Sequence, residues 1–407
     1  MKKIAIFTSA RSDFGLLRRV IELCSYVFDV DLLIAGSHSS AYQETVTEIR
    51  EHMRHLVVKQ VPLAFTLDDL TPGAQCRAIA QMQLNLSGHL AEHRYDLFVI
   101  LGDRWELFGA TVPAFLFSIP IAHIHGGEVT EGAIDDSVRH AHTKLASLHF
   151  AANRTYAGNL SAMGEEDWRI TVSGGCGTDA IHQVAIASKE EIAAQYGINL
   201  EDAIILVTCH PSTREFNVPV ERQISSVLEA LEQFSSHTII FTAPGLEAGS
   251  ELMIERIKQF VAAGTPGQRI YVASFGSKNY LAVLKHARVM VGNSSSGLLE
   301  AASFGVPCVN VGRRQSGRMA SDSVLNADYA CGDIAAQLNQ ALSEAFRQFS
   351  KHSGNPYDPH GDGRNADRIV YALQSALETL PTERLLTKKL DFQVHAEHWD
   401  QLLKGYK

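Results

Sequence analysis

Basic residues are in deficit in this 407-residue chain: 36 Lys and Arg stand against 45 Asp and Glu, a formal charge of −9 with histidines neutral. A surface of that sign disfavours nucleic acid and anionic membrane as principal partners, because both need a basic footprint. It leaves room for a small anionic ligand held in a local pocket. Long apolar runs are missing too, and none approaches the roughly 18 residues of a membrane span. Met1-Lys-Lys looks like the start of an export signal, but Arg11 and Asp13 interrupt the apolar stretch behind it. A first strand is therefore expected there, and no signal. Cysteine is sparse: Cys24, Cys76, Cys176, Cys209, Cys308 and Cys331 include no CxxC pair. That spacing suggests neither a zinc site nor a disulfide framework, and reduced thiols in a cytoplasmic protein are expected. No GxxxxGK[ST] loop is found, which argues against ATP hydrolysis of the P-loop type. The absence of GxGxxG weakens a nicotinamide reading.

What is present is an ordinary globular composition, 45% hydrophobic and 20% charged, enough for a large core. Short Val/Ile/Leu runs alternate with amphipathic stretches almost throughout. Strands are expected at 3–8, 30–35, 56–61, 97–101, 119–124, 148–152 and 169–172, then at 203–208, 238–242, 270–272, 289–292 and 307–311. Helices are expected between most of them, for example over 73–93, 218–234 and 251–262. This is the pattern of βαβ units and buried parallel sheets, hence an α/β fold. A dozen strands is too many for one ordinary open sheet. Two Rossmann-like halves with a central cleft are expected, one over 1–180 and a nucleotide-binding one over 181–363. A C-terminal helix over 364–380 is expected at the junction or back on the first half, followed by a polar tail to residue 407.

Ligands of open α/β sheets bind outside the carboxyl ends of strands. The first such end is Thr8-Ser-Ala-Arg-Ser-Asp-Phe-Gly15, a polar turn opening into a helix. There Arg11 either meets a phosphate or is a solvated loop arginine. Gly102-Asp103-Arg104 is the second, where Asp103 is either chemical or a helix cap. The densest is His123-Ile-His125-Gly-Gly-Glu128-Val-Thr-Glu131-Gly-Ala-Ile-Asp135-Asp136-Ser-Val-Arg139-His140, with four carboxylates within nine residues. Crowded carboxylates raise each other's pKa and divide into acid and base. Asp135 or Asp136 could instead cap the next helix. His123 and His125, two apart on a strand, are expected to point the same way; with no recognisable third and fourth ligand, a metal is not expected. In the second half, His210-Pro and Asn293-Ser294-Ser295-Ser296-Gly297 end strands. Hydroxyls and free N–H groups there suit a diphosphate, and Glu300 suits the two hydroxyls of a ribose. Arg313, Arg314 and Arg318 add positive charge to that rim.

Gly102-Asp-Arg, the stretch from His125 to His140, Gly292-Asn-Ser-Ser-Ser-Gly, Arg11-Ser-Asp-Phe-Gly, His210-Pro and Gly312-Arg-Arg-Gln-Ser-Gly-Arg318 together resemble the hydrolysing UDP-N-acetylglucosamine 2-epimerases of sialic acid biosynthesis. The resemblance runs from about Lys2 to Leu377. It implies a glycosyltransferase-B-like pair of Rossmann domains. It also implies conversion of UDP-N-acetylglucosamine and water to N-acetylmannosamine and UDP, by anti elimination of UDP and hydration of the glycal, with no metal or other cofactor. Asp103, Glu128 and Asp135 become the acid/base candidates, with Asp136 and Glu131 behind them. Arg11, Arg104, His210, Ser294, Ser295 and Arg314 would hold UDP, Glu300 its ribose, and Arg139 and Asn293 further parts of the substrate. Some family members carry a catalytic glutamate where this chain has His125, so either His125 or Glu128 inherits that proton transfer. The alternatives are the same reaction on UDP-N,N′-diacetylbacillosamine, a glycosyltransferase on the same fold, a non-catalytic sensor, or a non-hydrolysing epimerase, although Gly102-Asp-Arg with the Ile134-Asp-Asp-Ser-Val-Arg-His140 segment resembles the hydrolysing branch. A homodimer or homotetramer is implied by the same resemblance.

Overall fold

Two parallel sheets, one of seven strands and one of six, organise the computed structural model of this chain. Residues 1–35, 49–50, 53–54, 58–63, 71–130, 134–183, 186–212, 215, 217–245 and 249–391 are described by it. The first sheet comprises β1 (Lys3–Thr8), β2 (Asp29–Ile34), β3 (Val58–Pro62), β4 (Leu97–Leu101), β5 (Ile121–Ile124), β6 (Leu148–Ala151) and β7 (Ile170–Val172). The second comprises β8 (Ile204–Thr208), β9 (Thr238–Thr242), β10 (Arg269–Val272), β11 (Val289–Gly292), β12 (Cys308–Val311) and β13 (Val324–Ala327). Their orders are β3-β2-β1-β4-β5-β6-β7 and β10-β9-β8-β11-β12-β13. Each sheet reverses direction once, between β1 and β4 and between β8 and β11, and those reversals are where open sheets bind ligands.

Central strands read as unbroken apolar runs because helices cover both faces. Ile4 and Ile6 of β1 face the helices Arg11–Val27 and Asn365–Thr379, while Ala5 and Phe7 face Pro72–Glu92 and Leu107–Leu116. The last long helix therefore crosses back to the first sheet: Ile369, Val370 and Leu373 share a core with Leu17, Val20 and Ile21. Helix starts follow local chemistry. Pro72 sits in the first turn behind Thr71, whose hydroxyl accepts from Ala74 N–H at 3.3 Å, and Ser188 with Glu191 forms a capping box.

The strands expected at 3–8, 97–101, 238–242 and 289–292 match and the others differ by one or two residues at one or both ends, with residues 56 and 57 of one expected strand outside the described residues. The strand missing from the sequence reading is β13, a four-residue edge whose Asn326 is exposed. Beyond Pro381, a short helix, Thr382–Leu386, and the residues up to Asp391 pack on the first half. Arg169 is buried and donates to the carbonyls of Leu385, Arg384 and Thr387 at 2.9, 3.2 and 2.7 Å. Lys388 Nζ donates to the carbonyls of Thr143, Lys144 and Ala146 at 3.1, 3.3 and 2.8 Å, closing the end of the helix Ile134–Leu145.

Candidate active site

The carboxyl ends of β1, β4 and β5 bring the acids together. Behind β1, Asp13 is buried and accepts from the Ser9 hydroxyl at 2.7 Å, in the first turn of the helix that Arg11 begins. Behind β4, Gly102 turns the chain with φ +82° and delivers Asp103 and Arg104. Arg104 donates to Glu106 at 2.5 Å. Burial opposes the charge on Arg104, but Glu106, Asp13 and Asp135 favour it and hold its pKa above the ordinary value. Those three acids thus surround one guanidinium.

Arg139 is the hub. It is 1% exposed, yet it rises from the helix Ile134–Leu145 to four acceptors. It reaches the Glu128 carbonyl at 2.8 Å, the Thr130 hydroxyl at 3.0 Å, Asp136 at 3.4 Å and the Asp103 carboxylate in a short contact. Asp136 also accepts from Thr130 N–H at 2.7 Å. The capping alternative for Asp136 therefore takes an unusual form, in which it ties the preceding loop to the helix and the arginine. With both terminal nitrogens engaged and 1% exposure, Arg139 ties the loops after β4 and β5 together, and its direct access to a ligand is small. Glu131 lies outside the described residues, and so does the side chain of Arg11.

β5 stops at Ile124, and His125 adopts φ +65°, a left-handed backbone that is uncommon for a non-glycine residue. The expectation that His123 and His125 point the same way fails for that reason, since strand alternation ends between them. His123 is fully buried against the Gly102 carbonyl at 2.8 Å, and burial with His142 beside it lowers its pKa to about 3. It is a neutral core histidine. His125 turns instead to Glu128, its Nδ1 lying 2.8 Å from Oε1, and its Nε2 faces the backbone N–H of Cys176 at 3.2 Å. Burial opposes a charge on Glu128, but His125 and Arg318 outweigh it and hold the carboxyl below its ordinary pKa. Among the described residues, no group of three or more His, Cys, Asp or Glu is arranged to hold a metal ion.

At the second sheet an amide, hydroxyls and an imidazole surround one cation, Arg314. Asn293 is buried and braces two strand ends: its Oδ1 accepts from His210 N–H at 2.6 Å and its Nδ2 donates to the His210 carbonyl at 2.8 Å. Its own carbonyl accepts from Arg314 at 3.3 Å and Gln315 at 2.8 Å. Asn293 therefore holds His210 and Arg314 in place with its polar atoms already engaged. The Gly245 N–H donates to His210 Nδ1 at 2.8 Å, so the imidazole proton sits on Nε2 as a free-standing donor direction. Burial and the neighbouring Arg314 lower the pKa of His210 to about 3. Gly292, at φ +135°, presses on the Thr208 carbonyl in a space no side chain could share. Ser294 and Ser295 follow at the start of a four-residue helical turn, Ser296–Leu299, and Glu300 accepts from the Ser296 hydroxyl at 2.5 Å. Burial raises the pKa of Glu300 against the lowering effect of that serine.

The segment after β12 joins the two halves. Arg318 Nε lies 3.4 Å from the Thr130 hydroxyl, and Met319 N–H donates to the Tyr156 hydroxyl at 2.9 Å. Tyr156 and Tyr357, both buried, share a hydrogen bond at 2.9 Å. Sequence reading placed Arg318 on the nucleotide rim and gave no sign of Tyr156, Tyr357, Thr130 or Glu106. The two tyrosines are revealed only by the contact between distant segments.

Two Rossmann-like units whose strand ends face one another across a cleft define a protein of the glycosyltransferase-B-like class, with acids on one wall and neutral donors on the other. The sequence profile of the UDP-N-acetylglucosamine 2-epimerase family matches residues 24–374, and the chain belongs to that family. A UDP-N,N′-diacetylbacillosamine 2-epimerase (hydrolyzing) of Legionella pneumophila is 31% identical over 96% of this chain and 99% of its own length. The polysialic acid biosynthesis protein P7 of Escherichia coli is 30% identical over 91% of this chain and 94% of its own. The fold is shared with the UDP-GlcNAc 2-epimerase of Methanocaldococcus jannaschii, solved in complex with UDP-GlcNAc and UDP (TM-score 0.72, 18% identity, 91% of this chain and 99% of that one). By class the protein is a nucleotide-sugar 2-epimerase. No helix among the described residues is long and apolar enough to cross a membrane.

Proposed function

We propose that this protein is a hydrolysing 2-epimerase of a UDP-linked N-acetylated amino sugar, and that UDP-N,N′-diacetylbacillosamine ranks ahead of UDP-N-acetylglucosamine as its substrate. That ranking reverses the order read from the motifs. It is supported by the Legionella relative, which carries the diacetylated sugar in its name and matches nearly end to end. UDP-N-acetylglucosamine remains the second reading because the family as a whole carries that name.

The observation that carries the proposal is the pairing of an ionised, buried Glu128 with Asp103 at adjoining strand ends, facing a wall of donors. The reaction needs that division. A base takes the weakly acidic proton at carbon 2 while the carbon 1–oxygen bond to UDP breaks, leaving a carbon 1–carbon 2 double bond. Water then adds, its hydroxyl going to carbon 1 and a proton to carbon 2 from the other face, and the products are the 2-epimeric sugar and UDP. Glu128 and Asp103 are the two proton-transfer groups in this reading, with Asp135 beside Arg104 as a third acid. Negative charge grows on the departing diphosphate, which Arg11, Arg104, Arg314, His210, Ser294 and Ser295 would meet. Glu300 would take the ribose hydroxyls.

The test is a proton NMR time course in D₂O with each nucleotide sugar in turn. Free UDP with a 2-epimeric product deuterated at carbon 2, formed faster from the diacetylated substrate, is expected. Faster turnover of UDP-N-acetylglucosamine would reverse the ranking. UDP binding without turnover of either would overturn the reaction.

A further inference from the structure

We propose that His125 is a positioning residue for Glu128 and does not itself transfer the substrate proton; this rests on the role given to Glu128 above. A histidine transfers a proton through a nitrogen that is open to the substrate, and both nitrogens of His125 face protein. Nε2 accepts from the backbone N–H of Cys176 at 3.2 Å, at the first residue of the helix Cys176–Gln183. Nδ1 lies 2.8 Å from Glu128 Oε1. The ring is about one-tenth exposed, Gly175 packs beside it, and the left-handed backbone at φ +65° sets its direction. Burial opposes a charge on the ring and Glu128 and Cys176 draw its pKa up to about 10, but the peptide N–H of Cys176 occupies the lone pair that would have to receive the second proton, and that geometry decides for the neutral ring. The ring's single proton then belongs on Nδ1, the nitrogen that lies 2.8 Å from Glu128 Oε1.

Glu128 is buried as well, at 4% exposure. Oε1 is buried with no aligned hydrogen bond, and the other groups acting on the carboxylate are Arg318 from the second half and the hydroxyls of Tyr156 and Tyr357. Cys176 and His123 are the further titratable neighbours of the imidazole, both buried. Arg318 and His125 thus approach the same carboxylate from opposite halves of the molecule. The histidine does by position what an additional acid at this place would do by chemistry.

Asn separates the two roles. Its amide nitrogen replaces Nδ1 as a donor, it tolerates a left-handed backbone, and it has no proton to exchange with substrate. His125→Asn is expected to keep kcat within about tenfold of wild type, with the acidic limb of the kcat/KM profile unmoved. His125→Ala removes the donor. It is expected to lower kcat by about 10²-fold, within the range of a general acid–base contribution, and to shift that limb upward. Equal loss in Asn and Ala variants, at unchanged melting temperature, would overturn the proposal. Nitrogen-15 NMR of the imidazole reads the same inference without turnover. An Nδ1–H tautomer that responds to Glu128→Gln supports it, and an Nε2–H tautomer or an imidazolium at neutral pH overturns it. Failure of the wild-type enzyme to turn over either nucleotide sugar would instead overturn the functional reading, with the tautomer measurement unaffected.

Discussion

The two walls of the cleft are built from opposite kinds of polar group. At the ends of β4 and β5 most groups are charged and answer another charge, Asp103 and Asp136 to Arg139, Glu106 to Arg104 and Glu128 to Arg318, with the His125 ring beside Glu128. At the ends of β8 and β11 the main groups are an amide, hydroxyls and an imidazole kept neutral, with Arg314 as the cation between them. A charged network fixes protonation states, because each group's charge is set by its neighbours. On the proposed reading the proton-transfer groups belong to the first sheet while UDP is held mainly by the second, with Arg11 and Arg104 reaching it from the first, and each wall should respond differently to substitution.

The largest contrast is expected in turnover. Glu128→Gln and Asp103→Asn each remove a proton-transfer group while keeping its shape, and kcat should fall by about 10³-fold with the Kd for UDP unchanged. Single-turnover kinetics beside calorimetric titration with UDP would check this. Loss of UDP affinity in proportion to activity would erase the division between the walls. Next comes stability. Arg139→Met leaves Asp103 and Asp136 without their cation, and a wholly buried pair broken in this way loses about 3–5 kcal/mol. Because those carboxylates are 20% and 26% exposed, water takes over part of the compensation. A loss of about 2–3 kcal/mol in urea unfolding is therefore expected.

On the opposite wall, Glu300→Ala should raise KM about tenfold and leave kcat within about twofold, because ribose contacts hold ground and transition states alike. An unchanged KM would take Glu300 out of the site. Glu128 is held below its ordinary pKa by His125 and Arg318, whereas Glu300 rests on a serine with its pKa raised by burial.

This division was legible in part from the sequence. Gly102-Asp-Arg, the acid-rich run after β5 and the Asn-Ser-Ser-Ser turn all fall at strand ends, and both sheet reversals coincide with them. Strand ends are readable because they terminate apolar runs. What stayed hidden lies in long-range pairs and in backbone conformation. Tyr156 meets Tyr357 across 201 positions, Arg318 meets Thr130 across 188, and Lys388 closes a helix more than 240 positions earlier. No local spacing encodes such contacts. The left-handed turn at His125 was missed because a two-residue spacing on a strand implies one face only while the strand lasts. β13 escaped because an edge strand, half solvated, lacks the continuous apolar signature of its neighbours.

The smallest effect expected is also the one that best separates neutral from charged recognition. His210 has a folded pKa near 3, below the ordinary 6.5, and its Nδ1 is filled by the Gly245 N–H. Its Nε2–H donor should therefore not change character between pH 8 and 5.5. UDP titrates in that range on its own account, so the useful quantity is the ratio of Kd values for His210→Gln and wild type. That ratio should stay within about twofold across the range, whereas an imidazole with an ordinary pKa would become cationic below about 6.5 and the ratio would climb. Stability moves in a defined direction over the same interval. A histidine whose folded pKa is depressed leaves stability intact above about 6.5, and it loses stability as pH falls toward 3, because only the unfolded chain takes up the proton. His123 and His142, with folded values of about 3 and 4, act with it from the first half. The His210→Gln protein should accordingly show a shallower fall in melting temperature between pH 6.5 and 5 than wild type. An equal slope would mean that His210 charges in the folded protein, and the donor wall would then be cationic after all.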